Sequence, residues 1–341
     1  MSVPETFAHK PIPAPLPWHS AQWQRLGTQW QAGRCPHALL LMGSAGLGKR
    51  QFADAFSALA LCKQPRAGQA CGECKDCRLW MAGSHPDFLR VEPEKPGGPL
   101  KVEQIRQLGS FVSRTSGRGG VRLVWLSPAE SMNINAANAL LKNLEEPAAS
   151  VIFLLVTDAP TGLLPTIKSR CQSIGFPPPA EEMALQWLSN SGLDEQLAQR
   201  LLDLAGGAPL LAAELAEPKS RDVREQFFRD LIAVAQATAS AVPTAGRWEV
   251  PPDNVELAQL LLFWQHWLTQ MLHFRSCDVT GDTQIMALLQ RIPGEREQSL
   301  QSVFVFYDHV LQARKGLKGT TNPNRRLLLE ELLIRWAKLF S

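Results

Sequence analysis

The sequence predicts an α/β region built on a parallel sheet, followed by an all-α region. Three observations predict it. Between residues 38 and 156, short apolar runs alternate with amphipathic helical patterns, which is how a parallel sheet covered on both faces reads. The first run opens into a glycine-rich loop, Gly43-Ser44-Ala45-Gly46-Leu47-Gly48-Lys49-Arg50, that leads into a helix. After Pro177-Pro178-Pro179 only helical patterns follow.

The elements follow in chain order. Trp23, Leu26 and Trp30 lie at helical spacing within 20–33, so an amphipathic helix is expected there. Ala38–Met42 is a strand entering the loop, and Phe52, Ala55, Phe56 and Leu59 place a helix over 49–62. Pro86–Val91 reads as a second strand. Val102, Ile105, Leu108 and Val112 give a helix over 101–114, and Gly117 to Gly120 break the chain before a strand over 121–126. A helix from Asn133 to Glu146 ends before Pro147, since proline follows helix ends. Val151–Val156 is a wholly apolar strand. Beyond the prolines, helices are expected over 180–190, 194–205, 208–217, 255–274, 283–292, 296–315 and 324–340, with a proline-containing linker over 239–254.

At 341 residues the chain exceeds one typical domain. Apolar content of 45% and charged content of 20% are those of an ordinary globular protein. A net charge of +3 does not by itself argue for nucleic acid. There is no apolar run of about 18 residues, and Met1 to Pro17 lack an apolar signal core. The expectation is therefore a cytoplasmic protein with no membrane partner.

Four segments carry chemistry. Gly43, Gly46, Gly48 and Lys49 follow the phosphate-loop pattern, in which backbone N–H groups cradle phosphates and the lysine reaches the β and γ groups. The next position should supply a Mg²⁺-binding hydroxyl. Arg50 stands there instead, and Mg²⁺ requires oxygen ligands. The strand over 121–126 should deliver acidic residues, but Ser127-Pro128 follows it. Glu130, displaced from the strand end, reads as a solvated or helix-capping carboxylate. Two such losses argue against hydrolysis, which depends on the metal and a positioned water, and make weak or no nucleotide binding the expectation for Gly43, Gly46, Gly48 and Lys49.

Cys62, Cys71, Cys74 and Cys77 have the spacing of a four-thiolate zinc site, structural because no coordination position stays open. His85 reads as a loop residue before Pro86, with a spare zinc ligand as the alternative. Ser169-Arg170-Cys171, taken alone, offers a surface arginine. Arg114, Arg118 and Arg122, with Gly117, Gly119 and Gly120, read as a solvated loop, with a DNA-backbone contact as the alternative. Phe263, Trp264 and Trp267 read as core or subunit interface.

In order, the chain presents Pro36-His37-Ala38-Leu39-Leu40-Leu41, the glycine-rich loop, the cysteine knuckle, Asn138-Ala139-Leu140-Leu141-Lys142-Asn143-Leu144-Glu145-Glu146-Pro147, and Leu164-Pro165-Thr166-Ile167-Lys168-Ser169-Arg170-Cys171. This series resembles the bacterial clamp-loader subunits of the AAA+ class, and among them the delta-prime type of the DNA polymerase III holoenzyme. The likeness is strong over about 20–215. It is weaker in the last third, where Asn322-Pro323-Asn324 precedes Leu327-Leu328-Leu329-Glu330.

The resemblance implies an AAA+ ATPase-like domain over 1–176 with a zinc module at about 62–80, a helical lid over 177–217, and a helical collar over 218–341. It implies gamma/tau and delta subunits as partners, with the sliding clamp and primer–template DNA reached through the assembly. It makes Arg170 an arginine finger acting in trans on ATP held by a neighbouring gamma/tau subunit, and the four cysteines zinc ligands. A motor subunit of this class would carry Ser or Thr at 50, acids at 127 and 128, and an arginine after Gly206-Gly207, where Ala208-Pro209-Leu210-Leu211 stands. The departures imply the non-hydrolysing member. Two alternatives remain at this stage: an active ATPase with an unorthodox metal ligand, and a zinc-dependent DNA-binding module on a degenerate ATPase scaffold.

Overall fold

Among the described residues, five strands form one sheet: β1 (Ala38–Met42), β2 (Phe88–Val91), β3 (Arg122–Leu126), β4 (Val151–Thr157) and β5 (Gln172–Gly175). Their order is β2-β3-β4-β1-β5, and every pairing is parallel. In this computed structural model the described residues are 11–94, 98–113, 117, 120–147, 150–252, 255–277, 288, 291–293, 296–318 and 323–340. They divide into two compact units, Met1–Leu211 and Ala212–Ser341.

The central strands are apolar on both faces because both faces are covered. All seven residues of β4 and all five of β3 are buried. Burying each large apolar side chain contributes about 1.5–3 kcal/mol. The register sets Met42 of β1 beside Thr157 of β4 and Gly175 of β5. The loops leaving β1 and β4 therefore emerge side by side at the carboxyl edge, where parallel sheets place their ligand sites.

The helices of this unit are α1 (Ser20–Gln31), α2 (Lys49–Leu61), α3 (Lys75–Met81), α4 (Val102–Val112), α5 (Ile134–Glu145), α6 (Pro165–Lys168), α7 (Glu181–Asn190) and α8 (Glu195–Leu204), with α9 (Pro209–Ala216) spanning the unit boundary. Phe52 and Phe56 of α2 meet Trp23 and Trp30 of α1 edge-on, at 5.3 and 6.0 Å between ring centres. On the other side, Ile105, Leu108 and Val112 of α4 and Ala137, Leu140 and Leu144 of α5 share one core with β3 and β4. Asn133 caps α5 by accepting from the Ala136 N–H at 2.9 Å, and Asp194 caps α8 through the Gln196 and Leu197 N–H groups. Such caps each contribute about 1 kcal/mol. Gly192 ends α7 with φ of 90°, a conformation that favours glycine.

Among the described residues, the regular elements of the second unit are helices: α10 (Pro218–Ala235), α11 (Ala241–Trp248), α12 (Leu257–Cys277), α13 (Arg296–Lys318) and α14 (Arg325–Lys338). Its core is aromatic. Trp264 of α12 lies 5.6 Å from Trp336 of α14, 5.2 Å from Phe306 of α13 and 5.8 Å from Phe227 of α10. Phe263, Trp264 and Trp267 are all buried, as the helical spacing suggests.

Part of the expected linker over 239–254 is instead α11. Proline is tolerated in a first helical turn, where its missing N–H would be unpaired anyway, and Pro243 occupies that turn. Buried Trp248 then anchors the helix by donating to Asp230 Oδ2 at 2.8 Å. The helix expected over 283–292 lies largely outside the described residues, as do Arg114, Arg118 and Gly119.

Candidate functional site

The glycine-rich loop joins β1 to α2 with Gly46 and Gly48 at φ of 78° and 85°. Each glycine is required, and in this structure the neighbours that require it are protein groups. A Cβ on Gly43 would overlap the Phe176 carbonyl, one on Gly46 would overlap Leu211, and one on Gly48 would overlap Leu16. The Leu210 N–H also donates to the Gly46 carbonyl at 3.1 Å. The start of α9 is therefore fastened directly onto the loop.

Lys49 is likewise committed. It is 3% exposed, and its Nζ donates to the Ser44 carbonyl at 2.5 Å and pairs with Asp158 Oδ1 at 2.6 Å. Asp158 follows β4, so the strand register that aligns Met42 with Thr157 delivers the carboxylate to the lysine. A phosphate reaching Lys49 would have to displace that carboxylate. Arg50 is exposed.

Two aromatic residues before α1 close the loop from the other side. Trp18 Nε1 donates to the Leu47 carbonyl at 3.0 Å, and His19 Nε2 lies 2.8 Å from the same oxygen. The Leu16 N–H reaches His19 Nδ1 at 3.3 Å, so the neutral ring protonated on Nε2 satisfies both contacts. Burial holds the His19 pKa below its ordinary 6.5; the Leu47 carbonyl opposes this and the Lys49 charge adds to it. A lowered native pKa means the unfolded chain binds the proton more readily. His19's contribution to stability is thus complete above about pH 6.5 and declines as pH falls below it. His19→Gln is expected to flatten the acid limb of a melting-temperature profile between pH 7.5 and 5.5. An unaltered limb would contradict this assignment.

The end of β3 holds no acidic pair. Ser127 is 1% exposed and its Oγ has no partner among the described residues. Glu130 is not the solvated carboxylate its sequence position suggests. A short turn, Ala129–Ser131, carries it inward to 7% exposure, and its Oε1 accepts the Asp158 N–H at 3.0 Å. It thus braces the residue that neutralises Lys49. The displacement from the strand end was visible in the sequence; the inward turn was not.

The four cysteines converge. Cys62 ends α2, and Cys74 begins α3 by accepting the Cys77 N–H at its sulfur, 3.4 Å away. All four Sγ atoms lie within 4.8 Å of one another, with Cys62–Cys71 at 3.6 Å and both Cys62–Cys74 and Cys71–Cys77 at 3.9 Å. Zinc–thiolate bonds of about 2.3 Å imply tetrahedral edges of about 3.8 Å, so the thiols fit a single ion. N–H groups of Gln64, Cys71, Cys74 and Cys77 all point at ligand sulfurs, the pattern that favours thiolates. N–H donation from Cys74 and Glu73 draws the Cys71 pKa down to about 6.

His85 lies in the loop before Pro86, as expected, and is a buried anchor outside the thiol cluster. Its Nδ1 accepts the Asp87 N–H at 3.1 Å, leaving Nε2 to donate to Asp76 at 3.2 Å. With Trp80 Nε1 donating to Ser57 Oγ at 2.9 Å, this fastens the knuckle to α2 and to the start of β2.

Arg170 follows α6. Its Nη2 lies 2.6 Å from Glu145 Oε1 and its Nη1 donates to the Thr166 carbonyl at 3.0 Å. The side chain is 34% exposed. Arg122, by contrast, is no candidate for DNA: it is 4% exposed and donates to the Phe111 carbonyl at 2.7 Å. It begins a strand buried on both faces, so its charge is turned to a helix end. Sequence reasoning missed Asp158, Glu145, Trp18 and His19. For Asp158 a signal existed, an acid just beyond an apolar parallel strand.

Comparison with known proteins agrees with this architecture. Residues 18–180 match the family model of the DNA polymerase III delta subunit, and residues 220–338 match that of its C-terminal region. The chain is 39% identical to DNA polymerase III subunit delta' of Pseudomonas aeruginosa, covering 95% of this chain and 97% of that one. It is 33% identical to the Escherichia coli subunit delta', covering 94% of each. It is 26% identical to subunit tau/gamma of Haemophilus influenzae over 89% of this chain and 46% of that one. The chain belongs to the delta-prime clamp-loader subunits of DNA polymerase III.

Proposed function

We propose that this subunit does not split ATP itself and instead completes the ATP site of an adjacent gamma/tau subunit through Arg170. The observation that carries this reading is the contrast between its two cations. Lys49, which should meet a phosphate held by this chain, is buried against Asp158. Arg170, which would meet a phosphate held by another, remains partly exposed at the surface. A planar guanidinium suits this task, because it stays charged and matches phosphate oxygens in pairs. It would offset charge on the transferring phosphoryl group.

The missing hydroxyl at Arg50, the absent acids at Ser127-Pro128 and the packing of Leu210 and Leu211 on the loop support inactivity of the chain alone. The likeness to a tau/gamma subunit supports gamma/tau as the neighbour. In this reading residues 1–176 form the AAA+ domain, 177–217 the lid and 218–341 the collar. Delta, the sliding clamp and primer–template DNA are met in the assembled loader, in the cytoplasm. Cys62, Cys71, Cys74 and Cys77 hold a structural zinc. Zinc fixes the local fold here and takes no part in phosphoryl transfer.

The test is co-purification with gamma/tau. A stable complex whose DNA-stimulated ATPase exceeds that of gamma/tau alone supports the assignment. Failure to form a complex, or an ATPase indifferent to this chain, rejects it.

A further inference from the structure

We infer that Glu145 is a positioning residue for Arg170, acting with the Thr166 carbonyl to aim the guanidinium. This inference rests on the trans role proposed for Arg170. Glu145 is the last residue of α5, and its side chain is about half exposed. A carboxylate is misplaced at a helix C-terminus, where the macrodipole favours cations. The α5 end already receives its cap from elsewhere, because the His37 ring lies 3.2 Å from the Leu144 carbonyl. The interaction that the structure gives the Glu145 carboxylate is its 2.6 Å contact with Arg170.

The two anchors divide the work. Arg170 Nη1 is held by Thr166 of α6 and Nη2 by Glu145 of α5. Both helices are seated on one core: Leu140 and Leu144 of α5 lie in the same buried cluster as Ile167 of α6, with Cys171 packed against it. The backbones that present the anchors are thus fixed, while the arginine side chain between them is long and rotatable. Two hydrogen bonds to a rigid frame restrict the plane and direction of the fork. They leave its remaining N–H groups for an anion. A partly exposed ion pair adds little to folding, so the expected consequence of losing Glu145 lies in orientation.

The experiment uses the reconstituted loader at saturating subunit, with DNA-stimulated ATPase read as kcat and KM for ATP. Glu145→Ala is expected to lower kcat about fivefold, which is ~1 kcal/mol at 1.36 kcal/mol per decade, with KM shifting less than about twofold. Glu145→Gln, whose amide oxygen still accepts from the guanidinium, should recover at least half of that loss. Glu145→Ala should add nothing in an Arg170→Ala background. Melting of each isolated variant controls for folding.

If Arg170→Ala leaves kcat unchanged, the trans reading fails and the positioning role with it. If Arg170→Ala slows turnover while Glu145→Ala does not, or raises it, the positioning inference alone fails. It fails equally if Glu145→Ala remains harmful in the Arg170→Ala background.

Discussion

In its proposed trans role, Arg170→Ala is expected to slow ATP turnover at the adjacent gamma/tau site by on the order of 10³–10⁵, the range found for arginine fingers supplied to a phosphoryl-transfer site. The mechanism is electrostatic. Charge develops on oxygens held by a neighbour, and a fixed cation aimed at them lowers the barrier without reorganising. The substitution removes a partly exposed side chain whose backbone remains held by buried Ile167, so folding should change by less than about 1 kcal/mol. Arg170→Lys should restore little, because an ammonium lacks the fork that engages two oxygens. The measurement is DNA-stimulated phosphate release by loaders assembled with each variant. Equal rates for wild type and Arg170→Ala would remove the arginine from the mechanism.

Loss of the thiol site is the second large effect. Cys77→Ser is expected to abolish binding of about one zinc per chain, since three thiolates leave a tetrahedral ion incomplete. Cys77 is 1% exposed, so the altered group cannot be solvated without opening the knuckle. Metal loss belongs to the small set of changes that exceed about 4 kcal/mol. Here the damage should begin locally. The segment between α2 and α3 contains few core residues of its own, and it is tied down through Trp80 and His85. Limited proteolysis should cut first within 62–80, in the variant and equally in chelator-treated wild type. Purified chain without zinc, with a protease pattern indifferent to chelator, would contradict the assignment.

What the sequence disclosed and what it hid follow physical lines. The strands β1, β3 and β4 were legible because burial on both faces leaves nothing but apolar residues over several positions. The strand β5 was not. Its four residues bury only Ile174, so Gln172-Ser173-Ile174-Gly175 carries no run and no clear alternation. The helix α11 was hidden by Pro243 and Gly246, which look like a break until Trp248 is seen to be buried. The cysteine cluster was legible because ligand spacing is a local property. The Lys49–Asp158 and Arg170–Glu145 pairs were not, because 109 and 25 positions separate their members along the chain. Only the register of β1 against β4, and the shared core of α5 and α6, bring them together.

The glycine-rich loop shows a local pattern set among protein neighbours. Its glycines are conformationally necessary, and the groups pressing on them are Leu16, Phe176 and Leu211. Its lysine is present, and an aspartate neutralises it. The glycine pattern is local and legible in the sequence, whereas the contacts of Leu16, Phe176, Leu210 and Leu211 with it come from residues distant along the chain.

The most direct measurement is steady-state phosphate release by the isolated chain, by gamma/tau alone and by the two combined. Background release is expected from the isolated chain, unchanged by Lys49→Ala, with a rise in the mixture that depends on Arg170. Sustained release by the isolated chain that Lys49→Ala abolishes would contradict this expectation.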